Sequence, residues 1–155
     1  GGLRVSQIVS YPGVISPNTI TDVPTINLDF YPTFAELLNY DVPDNYTVDG
    51  KSLLSLLQDD SAGKDLSARA LFWHYPLKIP HFLGGRSSAA NRTSDYKYLW
   101  FFDKGVSELY DLKRDVSETR DISHKNPEKT EKFREALKYW LEEIGGEIPK
   151  GQESP

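Results

Sequence analysis

The stretch SELYDLKRDVSETRDIS, Ser107 to Ser123, begins like a β-strand and continues as a run of alternating acidic and basic residues. The strand predicted over Val106 to Leu112 follows the turn residues Asp103-Lys104-Gly105, so it closes a hairpin with the aromatic segment before that turn. We interpret the charged residues as a solvated crossover that carries the chain from this hairpin to its last helix.

Two further β segments precede the hairpin turn. Ala70 to Tyr75, ALFWHY, is a short aromatic run bounded by a proline, a pattern typical of a buried strand. Ala89 to Asp103 predicts a strand or a bent pair of strands, because aromatic residues alternate with other side chains along it. The alternating aromatic residues are Tyr96, Tyr98 and Trp100. The sequence therefore predicts three to four consecutive antiparallel strands.

The last helix has the clearest pattern in the chain. Asn126 is placed to cap it, Pro127 takes its first position and Gly145-Gly146 ends it. An apolar stripe runs along this helix: Phe133, Leu137, Trp140, Leu141 and Ile144. Because an antiparallel sheet needs its apolar face covered, we expect this stripe to pack against the sheet.

The first part of the chain predicts a strand, a helix and a short helical segment. Leu3 to Tyr11 is rich in β-forming residues. Since a strand needs hydrogen-bonded neighbours, we expect this one to join a sheet formed mainly outside this chain. Asn27 to Tyr40 predicts a helix, and Lys51 to Leu57 predicts one or two helical turns. The apolar stripe of the longer helix is Phe30, Phe34, Leu37 and Leu38.

The composition is that of an ordinary globular protein. The chain has 155 residues, of which 38% are hydrophobic and 26% charged. Its net charge of −5 argues against a nucleic-acid partner, which needs a basic surface. No apolar run reaches the roughly 18 to 20 residues that span a bilayer, so no membrane partner is expected. The absence of cysteine excludes disulfides, thiolate zinc sites and a cysteine nucleophile within these residues.

The segment from Arg69 to Lys104 is basic, whereas the rest of the chain is acidic. It holds six basic and two acidic side chains, a net charge of +4. The remainder holds twelve basic and twenty-one acidic side chains, a net charge of −9. A basic island of this kind can attract a small anion, although charge clusters are more often solvated surfaces.

Three residues of the basic segment are candidate substrate ligands. His74 stands near the end of the strand ALFWHY, where it either contacts a substrate or makes a structural hydrogen bond. His81 and Arg86 lie in the loop from Pro76 to Ser88, whose prolines and paired glycines disfavour regular structure. The planar guanidinium of an arginine in such a loop suits sulfate or carboxylate oxygens.

Other charged residues are assigned structural roles. Arg92 and Lys97 fall on the predicted strand and are interpreted as surface charges. The acidic residues of the hairpin region have no histidine nearby, so solvation and turn capping explain them better than a metal site does. These residues are Glu108, Asp111 and Asp115.

Six segments in order carry a resemblance to a known family: GGLRVSQIVSYPGVI, DFYPTFAELL, DGKSLLSLL, ALFWHYP, SDYKYLW and ELYDLKRDVSETRDI. From Gly1 to about Trp140, the chain resembles the C-terminal portion of a type I sulfatase of the alkaline-phosphatase superfamily. Ser88 to Arg92, SAANR, loosely fits the Ser-x-Ala-x-Arg form of the family's modification motif. We reject it as a nucleophile, because it leads directly into SDYKYLW and so corresponds to a C-terminal strand of the family.

The resemblance implies an α+β fold. In it, a C-terminal subdomain of three to four antiparallel strands is packed by a C-terminal helix and is preceded by a strand and a helix of the larger α/β sulfatase domain. On this basis residues 1–68 are the tail end of the α/β catalytic domain and residues 69–155 are the C-terminal subdomain.

The resemblance also implies hydrolysis of sulfate esters by a formylglycine beside a calcium ion. The family's motifs for both lie upstream of the segment resembled here. We therefore expect the chain to hold no catalytic residue, metal or cofactor, to contribute substrate-pocket loops and structural support, and to be inactive alone. The implied partners are a sulfated small molecule or sugar and the missing N-terminal catalytic portion, and the implied location is periplasmic or secreted.

Two alternatives remain open. One is a phosphonate or phosphodiester hydrolase of the same superfamily, which shares the fold. The other is a freestanding carbohydrate-binding module, in which exposed aromatic residues would act as stacking platforms. The residues proposed for that role are Tyr75, Phe82 and Tyr98.

Overall fold

The computed structural model of the chain describes residues 3–59, 63–78 and 85–149. They form two compact units that divide between Arg69 and Ala70. The N-terminal unit contains a 3-10 helix at Asn27–Asp29, α1 at Phe30–Leu37, α2 at Leu54–Gln58 and α3 at Lys64–Ala68. The C-terminal unit contains β1 at Leu71–Tyr75, β2 at Ser88–Arg92, β3 at Tyr96–Phe101, β4 at Val106–Asp111, a 3-10 helix at Ser123–Lys125 and α4 at Pro127–Glu143.

The C-terminal unit is built on a four-stranded antiparallel sheet in the order β1-β2-β3-β4. One cross-strand row joins His74, Ala89, Trp100 and Ser107, which are register partners on successive strands. Gly105 turns the chain between β3 and β4 with a φ of 62°, a conformation that glycine adopts without a steric cost. The predicted α+β class and its antiparallel sheet are therefore confirmed.

Helix α4 covers one face of this sheet. The buried cluster between them joins side chains of the sheet to two leucines of the helix: Ala89, Tyr98, Phe102, Leu109, Leu137 and Leu141. At its margin Trp140 stacks on Phe72, with ring centroids 5.1 Å apart. The sequence alternation explains this packing, because every second residue of a strand points to the same face.

One residue of the predicted apolar stripe, Ile144, lies beyond the end of α4. The helix stops at Glu143, and the amide of Gly146 donates to the carbonyl of Leu141 at 2.7 Å while Gly145 adopts a φ of 62°. This pattern satisfies carbonyl groups that the last turn leaves open. Ile144 therefore lies past the helix and is about half exposed rather than packed on the sheet.

The charged segment between β4 and α4 is more closely bound to the unit than a solvated crossover would be. Asp121 accepts hydrogen bonds from the amides of Leu109 and Ser123 at 3.0 and 2.8 Å. Although burial raises it, the pKa of Asp121 lies below its usual value because these donors favour the carboxylate. Asp115 accepts from the amides of Thr119 and Arg120, so its predicted turn-capping role is confirmed.

The N-terminal unit is organised around the fully buried carboxylate of Asp29. It accepts hydrogen bonds from the amides of Ile26 and Lys51 at 2.9 and 3.0 Å and from both terminal nitrogens of Arg69. Arg69 also donates to the carbonyl of Pro24. Four donors therefore converge on one carboxylate and tie together segments far apart in sequence.

A second contact fixes the segment that leads into α2. Thr33 of α1 donates to the carbonyl of Asp29, and its hydroxyl accepts from the amide of Leu53 at 2.8 Å. Leu53 belongs to a small buried cluster with Leu56 and Leu66. The short helix predicted over Lys51 to Leu57 is thus confirmed, shifted to Leu54–Gln58.

Two expectations for the N-terminal unit are corrected. Residues 4–11 form no strand in the described chain. The four strands that are present pair with one another, and residues 4–11 do not join their sheet. The predicted helix of Asn27 to Tyr40 is a 3-10 helix followed by the shorter α1. Thr33 and Ala35 are its buried residues, whereas the apolar residues Phe30, Phe34 and Leu38 are exposed.

Among the residues that the structure describes, no helix combines the length and apolar character needed to cross a membrane.

Replacing Asp29 by asparagine should destabilise the protein by about 3 to 5 kcal/mol, because it leaves the Arg69 guanidinium buried without its counter-ion. The pKa of Asp29 lies below its usual value: burial raises it, but the donors from Arg69, Lys51 and Ile26 lower it further. Its stabilisation is therefore present at neutral pH and lost as the pH falls below about 4. Urea unfolding at pH 7 and pH 3 measures both effects, and an equal loss at the two pH values would contradict the assignment.

Trp140→Ala should lower the free energy of unfolding by about 3 kcal/mol, because it removes the stacking partner of Phe72 and uncovers the sheet. Tyr139→Ala is the matched control, since Tyr139 lies next to it on the exposed face of α4 and should change stability by less than about 0.5 kcal/mol. Equal effects of the two substitutions in urea titrations would show that the helix face is misassigned.

Candidate functional site

His74 lies on β1 at the end of the sheet face that α4 covers. Its ring meets Phe102 edge-on, with centroids 5.8 Å apart. A Cβ placed on Gly146 would come within 3.3 Å of its Cε1 and Nδ1 atoms. Its Nε2 atom is buried and has no hydrogen-bond partner. His74 therefore packs against the end of α4 while one ring nitrogen remains open to a further partner.

Ser87 supplies a second unpartnered polar atom at the same end of the sheet. Its side chain is buried, and its Oγ has no hydrogen-bond partner. Its carbonyl accepts from the amide of Phe102 at 3.0 Å, which extends the ladder one residue beyond β2. Since Ser87 is two residues before Ala89, alternation places both side chains on the face that carries His74. Sequence reasoning missed Ser87, because one serine in a glycine- and serine-rich loop carries no pattern.

Arg86 is held at the opposite face of the same end. Its Nε and Nη2 atoms donate to the two carboxylate oxygens of Asp103 at 3.0 and 2.8 Å. Its guanidinium carbon lies 4.0 Å from the centroid of the Phe101 ring. The pair connects the end of the β1–β2 loop to the turn between β3 and β4. It uses two of the five N–H donors of the guanidinium and leaves the others for a ligand.

The Arg86–Asp103 pair also fixes the charge states of both groups. The hydrogen bond from Arg86 holds the pKa of Asp103 below its usual value, and the hydrogen bond to Asp103 raises the pKa of Arg86. Both side chains remain 37% exposed, so solvent screens much of their attraction. The pair therefore orients the guanidinium more than it stabilises the fold.

The third predicted ligand, His81, lies outside the described residues, as does Phe82. The structure thus places His74 and Arg86 at one end of the sheet, on opposite faces, and says nothing of His81. Asp103 joins Arg86 as a partner that sequence reasoning did not identify. Sequence reasoning placed Asp103 in the hairpin turn, but no pattern in the sequence indicated that this turn lies beside Arg86.

The basic island is neutralised in part by acidic partners. Arg69 pairs with Asp29, and Lys97 pairs with Glu118. Both acids come from outside the basic segment, whereas Asp95 of the segment pairs with Lys113 from outside it, so only part of the excess of +4 is offset. The prediction that Lys97 is a surface charge is wrong, since its side chain is 5% exposed. Burial raises the pKa of Glu118, but the hydrogen bond and the charge of Lys97 contribute to a net pKa below the usual value.

Tyr98 is not available as a stacking platform. Its side chain is completely buried, and its hydroxyl bonds to Ser107 Oγ at 2.7 Å and accepts from Arg134 at 3.2 Å. Tyr75 remains about half exposed at the end of β1. This removes one of the aromatic residues on which a carbohydrate-binding module would depend.

The look-alike modification motif and the acidic residues also have structural explanations. Ser88–Arg92 forms β2, an inner strand whose Ala89, Ala90 and Asn91 are buried. Within residues 3–59, 63–78 and 85–149, no group of three or more histidine or acidic side chains is arranged to hold a metal ion. Glu108 accepts a hydrogen bond from the Tyr110 hydroxyl at 2.8 Å. Burial, with this hydrogen bond, raises the pKa of Tyr110.

Several solved structures share this arrangement of sheet and helix. A protein in complex with its substrate D-glucosamine-2-N,6-O-disulfate superimposes on 92% of the chain with a TM-score of 0.73 and 24% identity. A 2-O glycosaminoglycan sulfatase superimposes on 85% of it with a TM-score of 0.64 and 23% identity. The chain covers 29% and 28% of these two proteins. The chain therefore shares the fold of a part of each of these proteins.

The sequence comparisons identify the family. The model of the family "N-sulphoglucosamine sulphohydrolase, C-terminal" matches residues 1–146, and the chain belongs to that family. A sulfatase of Formosa agariphila is 34% identical over 97% of the chain, and an N-acetylglucosamine-6-O-sulfatase of Bacteroides thetaiotaomicron is 29% identical over 77% of it. The chain spans only 29% and 21% of the lengths of these relatives. It corresponds to a C-terminal portion of a sulfatase.

Gly146→Ala should lower the free energy of unfolding by about 1 to 3 kcal/mol, because the new Cβ would lie 2.9 Å from Leu141 and 3.3 Å from the His74 ring. The double variant with His74→Ala should cost less than the sum of the two single changes, since the smaller side chain makes room. Glu147→Ala, one residue further and exposed, is the control. Strict additivity in urea unfolding would contradict the packing of His74 against the helix end.

Proposed function

We propose that this chain is the C-terminal part of an enzyme that hydrolyses sulfate esters, that it contributes substrate-pocket loops and structural support, and that it is inactive alone. The observation that carries this proposal is the family match over residues 1–146 in a chain that spans only 29% of its Formosa relative. A segment that spans this fraction of its relative supplies a subdomain rather than a complete catalytic domain. The catalytic portion of the parent protein carries the activity, and that portion is the proposed partner.

The proposed substrate is a sulfated sugar. The Bacteroides relative is named an N-acetylglucosamine-6-O-sulfatase, and one structural neighbour was solved with a doubly sulfated glucosamine. A sugar of this kind presents hydroxyl groups and sulfate oxygens, which accept hydrogen bonds from guanidinium and imidazole donors. These names support the class of substrate and leave the position of the sulfate open.

The proposed substrate ligands are His74, His81 and Arg86. Arg86 supports this role because Asp103 and Phe101 hold its guanidinium in one orientation while N–H donors remain for a ligand. His74 supports it through its buried, unpartnered Nε2, and the hydroxyl of Ser87 adds a second buried, unpartnered group at the same end of the sheet. Preorientation of this kind favours binding, since less side-chain freedom is lost when the ligand arrives.

The cofactors and location are proposed from the family. The parent enzyme would carry a formylglycine and a calcium ion, and the portion upstream of this chain would hold both. Residues 1–68 would complete the catalytic domain and residues 69–155 would form the subdomain beside it. A periplasmic or secreted location is proposed on the same basis.

The test is a kinetic comparison in the full-length parent enzyme, with a sulfated glucosamine and an aryl sulfate as substrates. Arg86→Ala should lower kcat/KM on the sugar. The loss should correspond to about 1.5 to 3 kcal/mol of activation free energy, the usual range for a hydrogen bond to a charged group. Arg114→Ala is the matched control, because that side chain is 88% exposed on a turn. The chain alone should release no sulfate from either substrate.

Two outcomes would contradict the proposal. If the parent releases no sulfate from any sulfate ester, the proposed activity is wrong. If the parent is active but Arg86→Ala, His81→Ala and His74→Ala all keep wild-type kinetics on the sugar, the activity stands and the three proposed ligands are wrong. Thermal unfolding of each variant separates a loss of binding from a loss of folded protein, because the exposed Arg86–Asp103 pair should contribute little stability.

A further inference from the structure

The Arg86–Asp103 pair leaves one edge of the guanidinium open. The Nε and Nη2 atoms of Arg86 donate to the two carboxylate oxygens of Asp103 at 3.0 and 2.8 Å. A guanidinium has five N–H groups in one plane, so those that remain are two on Nη1 and one on Nη2. The ring of Phe101 lies 4.0 Å from the guanidinium carbon and covers one face of that plane. A ligand therefore reaches Arg86 most readily in the plane, at the end that carries the two Nη atoms.

The pair is open to solvent, unlike another ion pair of the same sheet. The side chains of Arg86 and Asp103 are both 37% exposed, whereas those of Lys97 and Glu118 are 5% and 11% exposed. The Lys97–Glu118 pair is needed in the fold, because a buried charge without a partner is costly. An exposed ion pair contributes little to folding. Stability therefore gives little reason for the two-bond arrangement of Arg86 and Asp103.

The sheet fixes the two segments that carry the pair. Arg86 stands two residues before β2, and Asp103 stands two residues after β3. Between them, the amide of Phe102 donates to the carbonyl of Ser87 at 3.0 Å, which continues the pairing of the two strands. Groups held by regular elements keep their positions better than groups on long loops. The pair therefore presents N–H donors and a carboxylate side by side in a fixed arrangement.

Both groups are ionised, so their charges cancel. The hydrogen bond from Arg86 holds the pKa of Asp103 below its usual value, and the carboxylate is therefore charged at neutral pH. An ionised carboxylate offers about four acceptor positions. Arg86 takes two of them and the backbone of Lys104 takes a third. At least one acceptor position therefore remains beside the free N–H groups of the guanidinium.

The chemistry of the site selects its ligand. A sulfate group has only acceptor oxygens and a negative charge, so it can bind the N–H groups of Arg86 but is repelled by Asp103. A sugar hydroxyl is neutral, and it both accepts and donates a hydrogen bond. Two neighbouring hydroxyls match the site, because the oxygen of one accepts from Arg86 while the other donates to Asp103. The pair therefore suits an unsulfated part of a sugar ring better than it suits a sulfate.

We propose that Arg86 and Asp103 together bind two neighbouring hydroxyl groups of the sulfated sugar, and that Asp103 excludes a second sulfate from that position. The inference rests on the proposed function, because it takes this chain to be part of an enzyme that binds a sulfated sugar through Arg86. It adds Asp103 as a specificity-determining residue, and it assigns Arg86 to the sugar ring rather than to the sulfate that is released. The pair then distinguishes sugars by which of their positions carry a sulfate.

The test compares substrates in the full-length parent. kcat/KM for release of the original sulfate is measured with a singly sulfated glucosamine, with analogues that lack one of its free hydroxyls, and with analogues that carry a second sulfate at one of them. In the wild-type parent, loss of either of two neighbouring hydroxyls should lower kcat/KM about tenfold or more, because each hydroxyl bonds to a charged group. A second sulfate at either position should lower it at least as much.

Asp103→Asn keeps the shape of the side chain and removes its charge. It should reduce the penalty for the second sulfate about tenfold, because the repulsion between the two anions is lost. Asp95→Asn is the matched control, since Asp95 forms an exposed ion pair with Lys113 at 2.9 Å, and it should leave every penalty unchanged. Each penalty is a ratio of two kcat/KM values from one preparation. It therefore does not depend on the fraction of the variant that is folded.

The outcomes distinguish this inference from the proposed function. An active parent in which Asp103→Asn leaves both penalties at their wild-type values overturns the inference and leaves the proposed activity intact. The same holds if a second sulfate raises kcat/KM and Arg86→Ala abolishes the gain, because Arg86 then binds a sulfate. If the parent releases no sulfate from any sulfate ester, the proposed function is wrong and the inference is wrong with it.

Discussion

Packing of α4 against one face of the antiparallel sheet is the interaction on which the candidate site depends. Leu137 and Leu141 are buried against Tyr98 and Leu109, and this contact holds the strands in one register. Because the chain leaves the helix at this edge of the sheet, Gly146 fits beside His74. The position of a candidate ligand is thus set by where the helix stops, which the C-terminal cap determines.

The polar groups of the chain follow a consistent rule: those that are buried are paired within the same unit. Asp29 takes four donors in the N-terminal unit, and Lys97 takes Glu118 in the C-terminal one. A buried charge without a partner is costly, so these pairs are needed once the side chains leave water. Among the described residues, His74 and Ser87 depart from this rule, because their buried Nε2 and Oγ atoms have no hydrogen-bond partner. Arg69 and Asn91 each leave one buried atom, Nε and Oδ1, without a partner. His74 and Ser87 both lie at the end of the sheet next to the β1–β2 loop.

Local patterns predicted most of the C-terminal unit, because strands, turns and caps depend on residues close together in sequence. Three to four strands and α4 were predicted from an aromatic run, alternation, the turn at Gly105 and the cap residues around Pro127, and the structure has four strands. Alternation gives two faces but does not say which face is covered, so Tyr98 and Lys97 were placed in solvent although both are buried. The partners of Arg86 and Asp29 lie 17 and 40 residues away, a separation at which no local pattern signals contact.

The two units differ in how much of their apolar surface is covered by other residues of the same unit. This difference explains where sequence reasoning failed. In the C-terminal unit, the predicted apolar stripe of α4 found the sheet as its cover, and only Ile144 lies outside. In the N-terminal unit, the strand predicted over Leu3 to Tyr11 does not form, and the stripe of α1 is exposed among the described residues. An amphipathic pattern indicates which side of a segment has to be buried, but it does not indicate which other segment covers that side. The predictions failed here because a local pattern cannot say whether the covering segment lies among the described residues.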